Sequence, residues 1–344
     1  MRWSWPDHDG LVVPGNPMVF GSGIVGMRKA FSEAALGRSL RAMRYLFVDG
    51  FYYIYRSFFA IRNLSNSRGE PTNAIYGFTK AVRKMLVDLE PDGAAVLWDE
   101  GLPEHRVELQ PEYKANRPEM PEEMVPQIEP IQKIAVALGL HSITRANTEA
   151  DDLIASYVKQ LGPSDEAIIA TNDKDIYQLV SDRVKIYSTA KADLASAKAG
   201  FALLDAGAVE GKWGVPPEKI GEVLALTGDS VDNIPGIPGV GAKTAAKLVR
   251  EFGSVDRMLE NVERIGNKRA QEAIREGGDR LLQNREMVRL EDALPLPVPL
   301  SEMTRKPDYP GLIELLRACE FKSLLAECEA EARGAGVKNP DELF

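Results

Sequence analysis

Three short apolar runs, each closing on an acid, stand at residues 45–49 (YLFVD), 94–99 (AAVLWD) and 167–173 (AIIATND). Runs of this kind, bounded by turn residues, predict buried strands that lead into loops. Between them, apolar residues recur at helical spacing over 72–89, 126–138 and 150–161. Such strand–helix alternation predicts an α/β fold with a mostly parallel sheet and helices on both faces. Past residue 205 the strand signal fades. Short helical patterns separated by glycine and proline turns follow, as at Val215-Pro216-Pro217 and Pro235-Gly236-Ile237-Pro238-Gly239. These predict a second, helical unit.

The first 42 residues are different. Trp3, Trp5, Pro6, Pro14 and Pro17 are scattered among glycines with no sustained period, and no signal-peptide pattern appears. Folding is expected to begin at Met43. The expected division is 1–42 as a flexible extension or over-long start assignment, 43–204 as the α/β core, 205–330 as the helical unit and 331–344 as a tail.

Composition narrows the class. Hydrophobic residues make up 44% and charged residues 27%, ordinary for a globular chain. No run approaches the roughly 18 consecutive apolar residues of a membrane span, so no membrane partner is expected. Cys319 and Cys328 have no zinc-type partner cluster and read as reduced thiols of a cytoplasmic protein. The net charge of −9 argues against a simple DNA-coating protein, which carries a basic excess. It leaves room for a metal-dependent enzyme, whose site is a pool of carboxylates with the local field reversed by cations.

The acids occur in tight groups: Asp49; Asp99; Glu149, Asp151 and Asp152; Asp173 and Asp175; Asp229 and Asp232. Any one of them also suits a turn or a helix N-terminus. Their joint placement says more. Asp49, Asp99 and Asp173 follow predicted strands and should meet at one sheet edge, where ligands of open α/β sheets gather. Glu149 and Asp152 can share a helix face. Carboxylates crowded without histidine or cysteine favour Mg²⁺ or Mn²⁺. Two such ions about 4 Å apart are a standard arrangement for cleaving a phosphodiester.

Seven strings then occur in order: Val48-Asp49-Gly50, Gly69-Glu70-Pro71-Thr72, Ala74-Ile75-Tyr76-Gly77-Phe78, Glu112-Tyr113-Lys114-Ala115-Asn116-Arg117, Glu149-Ala150-Asp151-Asp152, Asp173-Lys174-Asp175 and Gly228-Asp229-Ser230-Val231-Asp232-Asn233. Together they resemble the 5′→3′ exonuclease domain of bacterial DNA polymerase I, within the flap endonuclease superfamily. The resemblance runs from Met43 to the 316–325 region, with all nine family carboxylate positions occupied. It implies a PIN-like, Rossmann-like core, a helical arch and a C-terminal helix–hairpin–helix unit. It implies that Asp49, Asp99, Glu149, Asp151 and Asp152 hold or support a first ion. Asp173, Asp175, Asp229 and Asp232 do so for a second, with Asp151 near both. One departure is Thr171-Asn172-Asp173, where relatives often carry glycine in the middle; Asn172 tolerates unusual backbone angles.

By the same resemblance, Tyr113, Lys114 and Arg117 belong to the arch, with Tyr113 contacting the DNA and Lys114 and Arg117 steadying the scissile phosphate. Tyr55 matches a position that stacks on a substrate base, although Phe51, Tyr52, Tyr53, Phe58 and Phe59 crowd the same segment and core packing suits it almost as well. Arg56 is a weaker phosphate contact. Residues 234–248 look like the hairpin motif itself. Gly239 and Gly241 permit close backbone approach to phosphate, and Thr244, Lys243 and Lys247 sit on the helix that follows. Relatives bind a monovalent cation there through backbone carbonyls, which implies K⁺.

The expected function is a two-metal, structure-specific 5′→3′ exonuclease and flap endonuclease acting on 5′ flaps, nicks and 5′ ends. It is expected to work as a cytoplasmic, nucleoid-associated monomer, linked functionally to a DNA polymerase and a ligase. Two rivals are a non-catalytic DNA-junction binder, which would not need the full carboxylate set, and a PIN-type ribonuclease, which normally lacks the hairpin-bearing half.

Overall fold

The computed structural model describes residues 41–196 and 200–337. Residues 1–40, nearly all of the expected extension, lie outside the described residues, as do residues 338–344 of the expected tail.

The apolar runs become strands of a six-stranded sheet: β1 (Arg44–Asp49), β2 (Gly93–Leu97), β3 (His141–Ile143), β4 (Glu166–Ala170), β5 (Val184–Ser188) and β6 (Ala202–Leu204). They lie in the order β3-β2-β1-β4-β5-β6, and all pairs are parallel except β5–β6. Register sets Phe47 beside Ala95 and Ile169. Successive side chains leave opposite faces of a strand. Accordingly Tyr45, Phe47, Leu97 and Ile169 join one core, and Leu46, Val48, Val96 and Ile168 the other. Two covered faces explain why the runs carry no alternating polar residues.

Helices α1 (Gly50–Ala60) and α2 (Asn73–Leu89) link β1 to β2. Helices α3 (Glu104–Leu109) and α4 (Val125–Ala137) precede β3, and α5 (Ala150–Lys159) precedes β4. Helices α1, α2 and α4 pack on the face of Leu46 and Val48, and α5 packs on the face of Phe47 through Leu153 and Tyr157. From β1 the chain steps out to β3 on one side and from β4 to β6 on the other. The order reverses between β1 and β4, which opens a crevice at their carboxyl ends.

A helical half follows the sheet: α6 (Ala206–Trp213), α7 (Ile220–Thr227), the short strands β7 (Gly228–Asp229) and β8 (Ile234–Pro235), α8 (Ala242–Phe252), α9 (Val255–Glu260), α10 (Lys268–Glu276) and α11 (Gly278–Val288). Leu224, Val249 and Met287 are continuous with the core around Phe47, so the chain from Met43 onward is one compact unit. The β7–β8 hairpin is built tightly. Gly228 has a φ of 67°, a left-handed value that favours glycine. A Cβ on Gly236 would stand 2.1 Å from the Thr227 carbonyl oxygen. The buried Asn284 amide of α11 donates to the carbonyls of Ala225 (2.9 Å) and Pro235 (2.8 Å), tying α7 to the hairpin.

The structure adds two details. Between β2 and α4, where the resemblance implies a helical arch, the chain forms α3, only six residues long, and then hydrogen-bonded turns over 111–117. Prolines at 111, 118 and 121 keep the segment between these two helices from forming one longer helix. The helical unit also ends sooner than residue 330. Helices α12 (Tyr309–Ala318) and α13 (Lys322–Gly334) pack against the core of α2 and α4, through Leu312, Leu316, Leu324 and Cys328. Helix α13 takes in the start of the expected tail because Ala332, one turn past Cys328, is buried on the same face.

Two glycine substitutions should therefore act with opposite sign. Gly236→Ala forces a backbone shift in the β7–β8 hairpin and is expected to cost at least about 2 kcal/mol in urea unfolding. Gly211→Ala, in α6 with nothing within 4 Å of the new methyl, should stabilise by about 0.5–1 kcal/mol. An unshifted Gly236→Ala midpoint would refute the close-approach reading.

Candidate active site

The crevice at the carboxyl ends of β1, β2 and β4 collects most of the singled-out acids. Asp49 caps α1: its Oδ1 accepts from the Tyr52 amide (3.0 Å) and its Oδ2 from the Thr171 hydroxyl (2.9 Å). Asp99 accepts from the Ala150 amide at 2.7 Å, joining the end of β2 to the start of α5. Asp173 accepts from the amide of Asp175 at 3.0 Å. Asp229 accepts from the Val231 amide and pairs with Lys174 at 3.0 Å. Asp175, Asp229 and Asp232 each offer an oxygen within 4.8 Å of the others. Asp175 Oδ1 is buried with no hydrogen-bond partner.

Burial and mutual repulsion raise several of these pKa values. Burial, then the Asp99 charge, lifts Asp49 to about 7. Asp151 and Asp175 lie well above the ordinary value, through burial first and the Asp173 charge second. Burial also leads the upward shifts of Asp99 and Asp173. Asp232 goes the other way: burial pushes it up, but Lys114 and Arg117 more than offset that. An all-carboxylate set with an orphaned buried oxygen, short of positive charge on one side, fits a hard divalent cation.

The turns after α3 bring cations into this cluster. Lys114 adopts a φ of 56°, and its amide donates to the Asp232 carbonyl at 3.1 Å. Its Nζ pairs with Glu149 and lies 3.8 Å from Asp232, while Arg117 pairs with Asp232. Tyr113, expected among the DNA contacts, is buried instead; its hydroxyl is 3.1 Å from Glu149 and 3.2 Å from Asp232. The turns between the prolines of this segment fold all three side chains inward.

Arg106 of α3 was not singled out in the sequence. It is buried and binds Glu149, both oxygens of Asp152, and the carbonyls of Met287 and Arg289. No spacing or motif marks it; only three-dimensional packing does. Asp152 also accepts from the Glu291 amide at 2.9 Å, so its carboxylate is engaged by protein donors. Asn172 does not use the left-handed backbone available to it. Its amide group instead bridges Tyr52 (2.6 Å) and Ser188 (3.1 Å).

The remaining residues lie outside the acid cluster. Tyr55 is half-buried and stacks on Phe59 at 6.4 Å, while Phe59 itself is 63% exposed. Arg56 is exposed, with its guanidinium 3.1 Å from the Tyr52 hydroxyl. In the hairpin, Gly239 has a φ of 79° and Gly241 precedes α8. Lys243 and Lys247 project outward one turn apart, and Thr244 is half-buried. Arg269 flanks Gly239, its Nε 3.3 Å from where a Cβ would stand.

Comparison with known proteins agrees with this picture. A profile of the 5′-3′ exonuclease N-terminal resolvase-like domain matches residues 44–214, and one of the 5′-3′ exonuclease C-terminal SAM fold matches residues 215–310. DNA polymerase I of Rhizobium leguminosarum is 37% identical over 301 residues, covering 83% of this chain and 29% of its own length. The thermostable DNA polymerase I of Thermus aquaticus is 37% identical over 285 residues, covering 83% and 33%. The chain thus spans about a third of the length of these curated relatives. Among solved structures, the T5 5′-exonuclease with bound zinc shares 23% identity and a TM-score of 0.60, over 72% of this chain and 90% of that one. The catalytic core of Rad2 in complex with DNA substrate shares 17% identity and a TM-score of 0.52, over 86% and 95%. At these identities the two structures establish the fold.

The raised carboxylates have a measurable consequence. Folded Asp49 keeps its proton to about pH 7, against an ordinary value of 3.8, so between those values the folded state binds more protons than the unfolded. Stability from such groups is therefore lost as pH rises through the folded pKa. In chelator, the unfolding temperature is expected to fall between about pH 5 and about pH 8, and Mg²⁺ should restore more of it at the higher pH. A chelated protein that grows more stable over that window would contradict the charge picture.

Proposed function

The chain belongs to the 5′-3′ exonuclease family, and from that premise we propose that it hydrolyses DNA phosphodiesters at 5′ flaps, nicks and 5′ ends, leaving a 5′-phosphate and a 3′-hydroxyl. The observation that carries this reading is the buried carboxylate cluster at the sheet's reversal point, with the unpartnered Asp175 oxygen inside it and Lys114 and Arg117 at its edge.

Asp49, Asp99, Glu149 and Asp151 would hold one divalent ion, and Asp173, Asp175, Asp229 and Asp232 a second. Mg²⁺ is the ion their hard oxygens favour, with Mn²⁺ able to replace it. Such ions supply a lowered pKa for the attacking water and neutralise charge on the attacking and leaving oxygens. The chain's own cations do the rest. Lys114 and Arg117 are held by Glu149 and Asp232, where an incoming phosphate can exchange for a carboxylate partner and gain two charge-assisted hydrogen-bond donors. Tyr113 keeps Glu149 and Asp232 in register beneath them.

The hairpin grips rather than reads. Gly239, Gly241, Thr244, Lys243 and Lys247 present backbone amides and ammonium groups suited to phosphate, which gives sequence-independent, salt-sensitive binding. K⁺ in the hairpin, a base stacked on Tyr55 and a phosphate on Arg56 belong to the same reading. So do a monomeric state, a cytoplasmic, nucleoid-associated setting, and a link to a polymerase and a ligase. The polymerase link is supported by relatives that are DNA polymerases. The occupied carboxylate set favours an enzyme over a non-catalytic junction binder, and the hairpin-bearing half favours DNA over the RNA of PIN-type ribonucleases. Labelled flap DNA and single-stranded RNA, each with Mg²⁺ or with chelator, test the reading directly. Flap cleavage that persists in chelator, or faster cleavage of the RNA, would overturn it.

Substitutions should separate chemistry from grip. Asp173→Ala/Asp175→Ala is expected to abolish cleavage while flap binding stays measurable. Lys114→Ala should lower the single-turnover rate at saturating DNA by about 10²-fold or more, with a modest change in affinity. Replacing both Lys243 and Lys247 should instead raise the dissociation constant and flatten its log–log salt slope by up to about two units. Normal flap binding by that double variant at every salt concentration would show the hairpin to be structural.

A further inference from the structure

Arg106 is 2% exposed, and its guanidinium is fully subscribed. Its Nε donates to the Met287 carbonyl (3.1 Å). Nη1 donates to Glu149 and to Asp152 Oδ2 (2.7 Å), and Nη2 to Asp152 Oδ1 (2.9 Å) and the Arg289 carbonyl (2.9 Å). A guanidinium has five N–H donors in a fixed fork, and all five find acceptors here. Lysine could not satisfy that set.

We infer that Arg106 is a positioning residue for the proposed reaction: paired with Asp152, it fixes one oxygen of Glu149 and ties the end of α11 to the acids at the start of α5. The inference rests on the reading that Glu149 helps to hold a divalent ion. Asp152 serves the clamp and is not itself a ligand. It is 1% exposed, and its two oxygens accept from both Arg106 nitrogens and from the Glu291 amide. Neighbouring positions on a helix point about 100° apart. The side chain next to it is the one surrounded by the cluster: the charges bearing on Asp151 are those of Asp173, Asp49, Asp99 and Asp175.

Glu149 is held from two sides. Its Oε2 receives Arg106, and its Oε1 receives Lys114 and, at 3.1 Å, Tyr113. The Lys114 and Arg117 pairs can change partner when phosphate arrives, whereas the Arg106 pair is enclosed. The carbonyls of Met287 and Arg289 bring the helical half into the same clamp. A shift of α11 would therefore reach Glu149 through one side chain.

Mn²⁺ binding by calorimetry or electron paramagnetic resonance, on the whole chain, tests this without relying on cleavage. Arg106→Lys and Asp152→Asn should each fold and bind Mn²⁺ about tenfold more weakly, with the number of ions unchanged. Single-turnover flap cleavage should recover as Mn²⁺ is raised, while flap affinity in Ca²⁺ stays at the wild-type value. The double variant should bind Mn²⁺ no more weakly than either single one, as for groups acting as a unit. A folded Arg106→Lys protein with wild-type Mn²⁺ affinity overturns the inference, and so does loss of one bound ion in Asp152→Asn. If Arg106→Lys does not fold, Asp152→Asn, which keeps the side chain's shape, decides by the same affinity and stoichiometry. A wild-type protein that binds no Mn²⁺, or binds it and cleaves no flap, would instead sink the proposed function.

Discussion

Carboxylates buried side by side repel, and in this fold the sheet brings them together. Parallel strands deliver their carboxyl ends to one edge, and the reversal of order between β1 and β4 opens a crevice there. Asp49, Asp99 and Asp173 arrive with the strands, and Glu149 and Asp151 with the start of α5. The protein offsets part of the cost with amides: Tyr52 on Asp49, Ala150 on Asp99, Asp175 on Asp173. Its own cations neutralise Glu149 and Asp232. Asp151 and Asp175 remain raised, and one Asp175 oxygen has no partner. What is left uncompensated has the chemistry of a divalent-ion site, so the electrostatic constraint that endangers the fold is also what equips it.

Holding such a cluster demands a rigid surround. Phe47, Val48 and Val96 are wholly buried, so the strands that carry the acids cannot slide. On the far side Asp229 and Asp232 sit on a hairpin that needs glycine at 228 and 236 and is fastened to α11 by Asn284. The strap after α3 is stitched to that hairpin from both directions. Asn116 donates to the Ser230 carbonyl (2.8 Å), and Asn233 donates to the Glu112 carbonyl (2.7 Å). Lys114 and Arg117 are therefore placed by the helical half as much as by the sheet.

The strands and the acids that close them were legible because each rests on a local signal: an apolar run and a terminal acid. What escaped depends on which way a side chain faces. Asp151 and Asp152 are adjacent and chemically identical in sequence, yet one meets other carboxylates and the other meets Arg106. Arg106 itself belongs to no pattern, because its partners lie 43 to 183 residues away. Tyr113 was expected to face DNA, since a sequence does not show that the turns around it fold inward. Helices α12 and α13 read as part of the helical half only because they follow it; their apolar faces belong to the core of α2 and α4.

A net charge of −9 and a DNA substrate are compatible once ion pairing is considered. Glu149, Asp152, Asp229 and Asp232 are each paired with a cation of the chain (Lys114 and Arg106, Arg106, Lys174, Arg117), so those pairs add little to the field that an approaching duplex meets. Lys243, Lys247, Lys268, Arg269 and Arg280 are exposed on the helical half. At physiological ionic strength the screening length is about 8 Å, so an incoming phosphate responds to the side chains nearest it and hardly to the chain's total. A basic surface around the hairpin can therefore attract the backbone while distant surface acids keep the net charge negative. Within the crevice the balance reverses, because the cations there are already committed to Glu149 and Asp232. In the proposed reaction, phosphate entering that space would have to offer Lys114 and Arg117 better partners than the carboxylates they hold, and divalent ions on those carboxylates would tilt the exchange toward the phosphate.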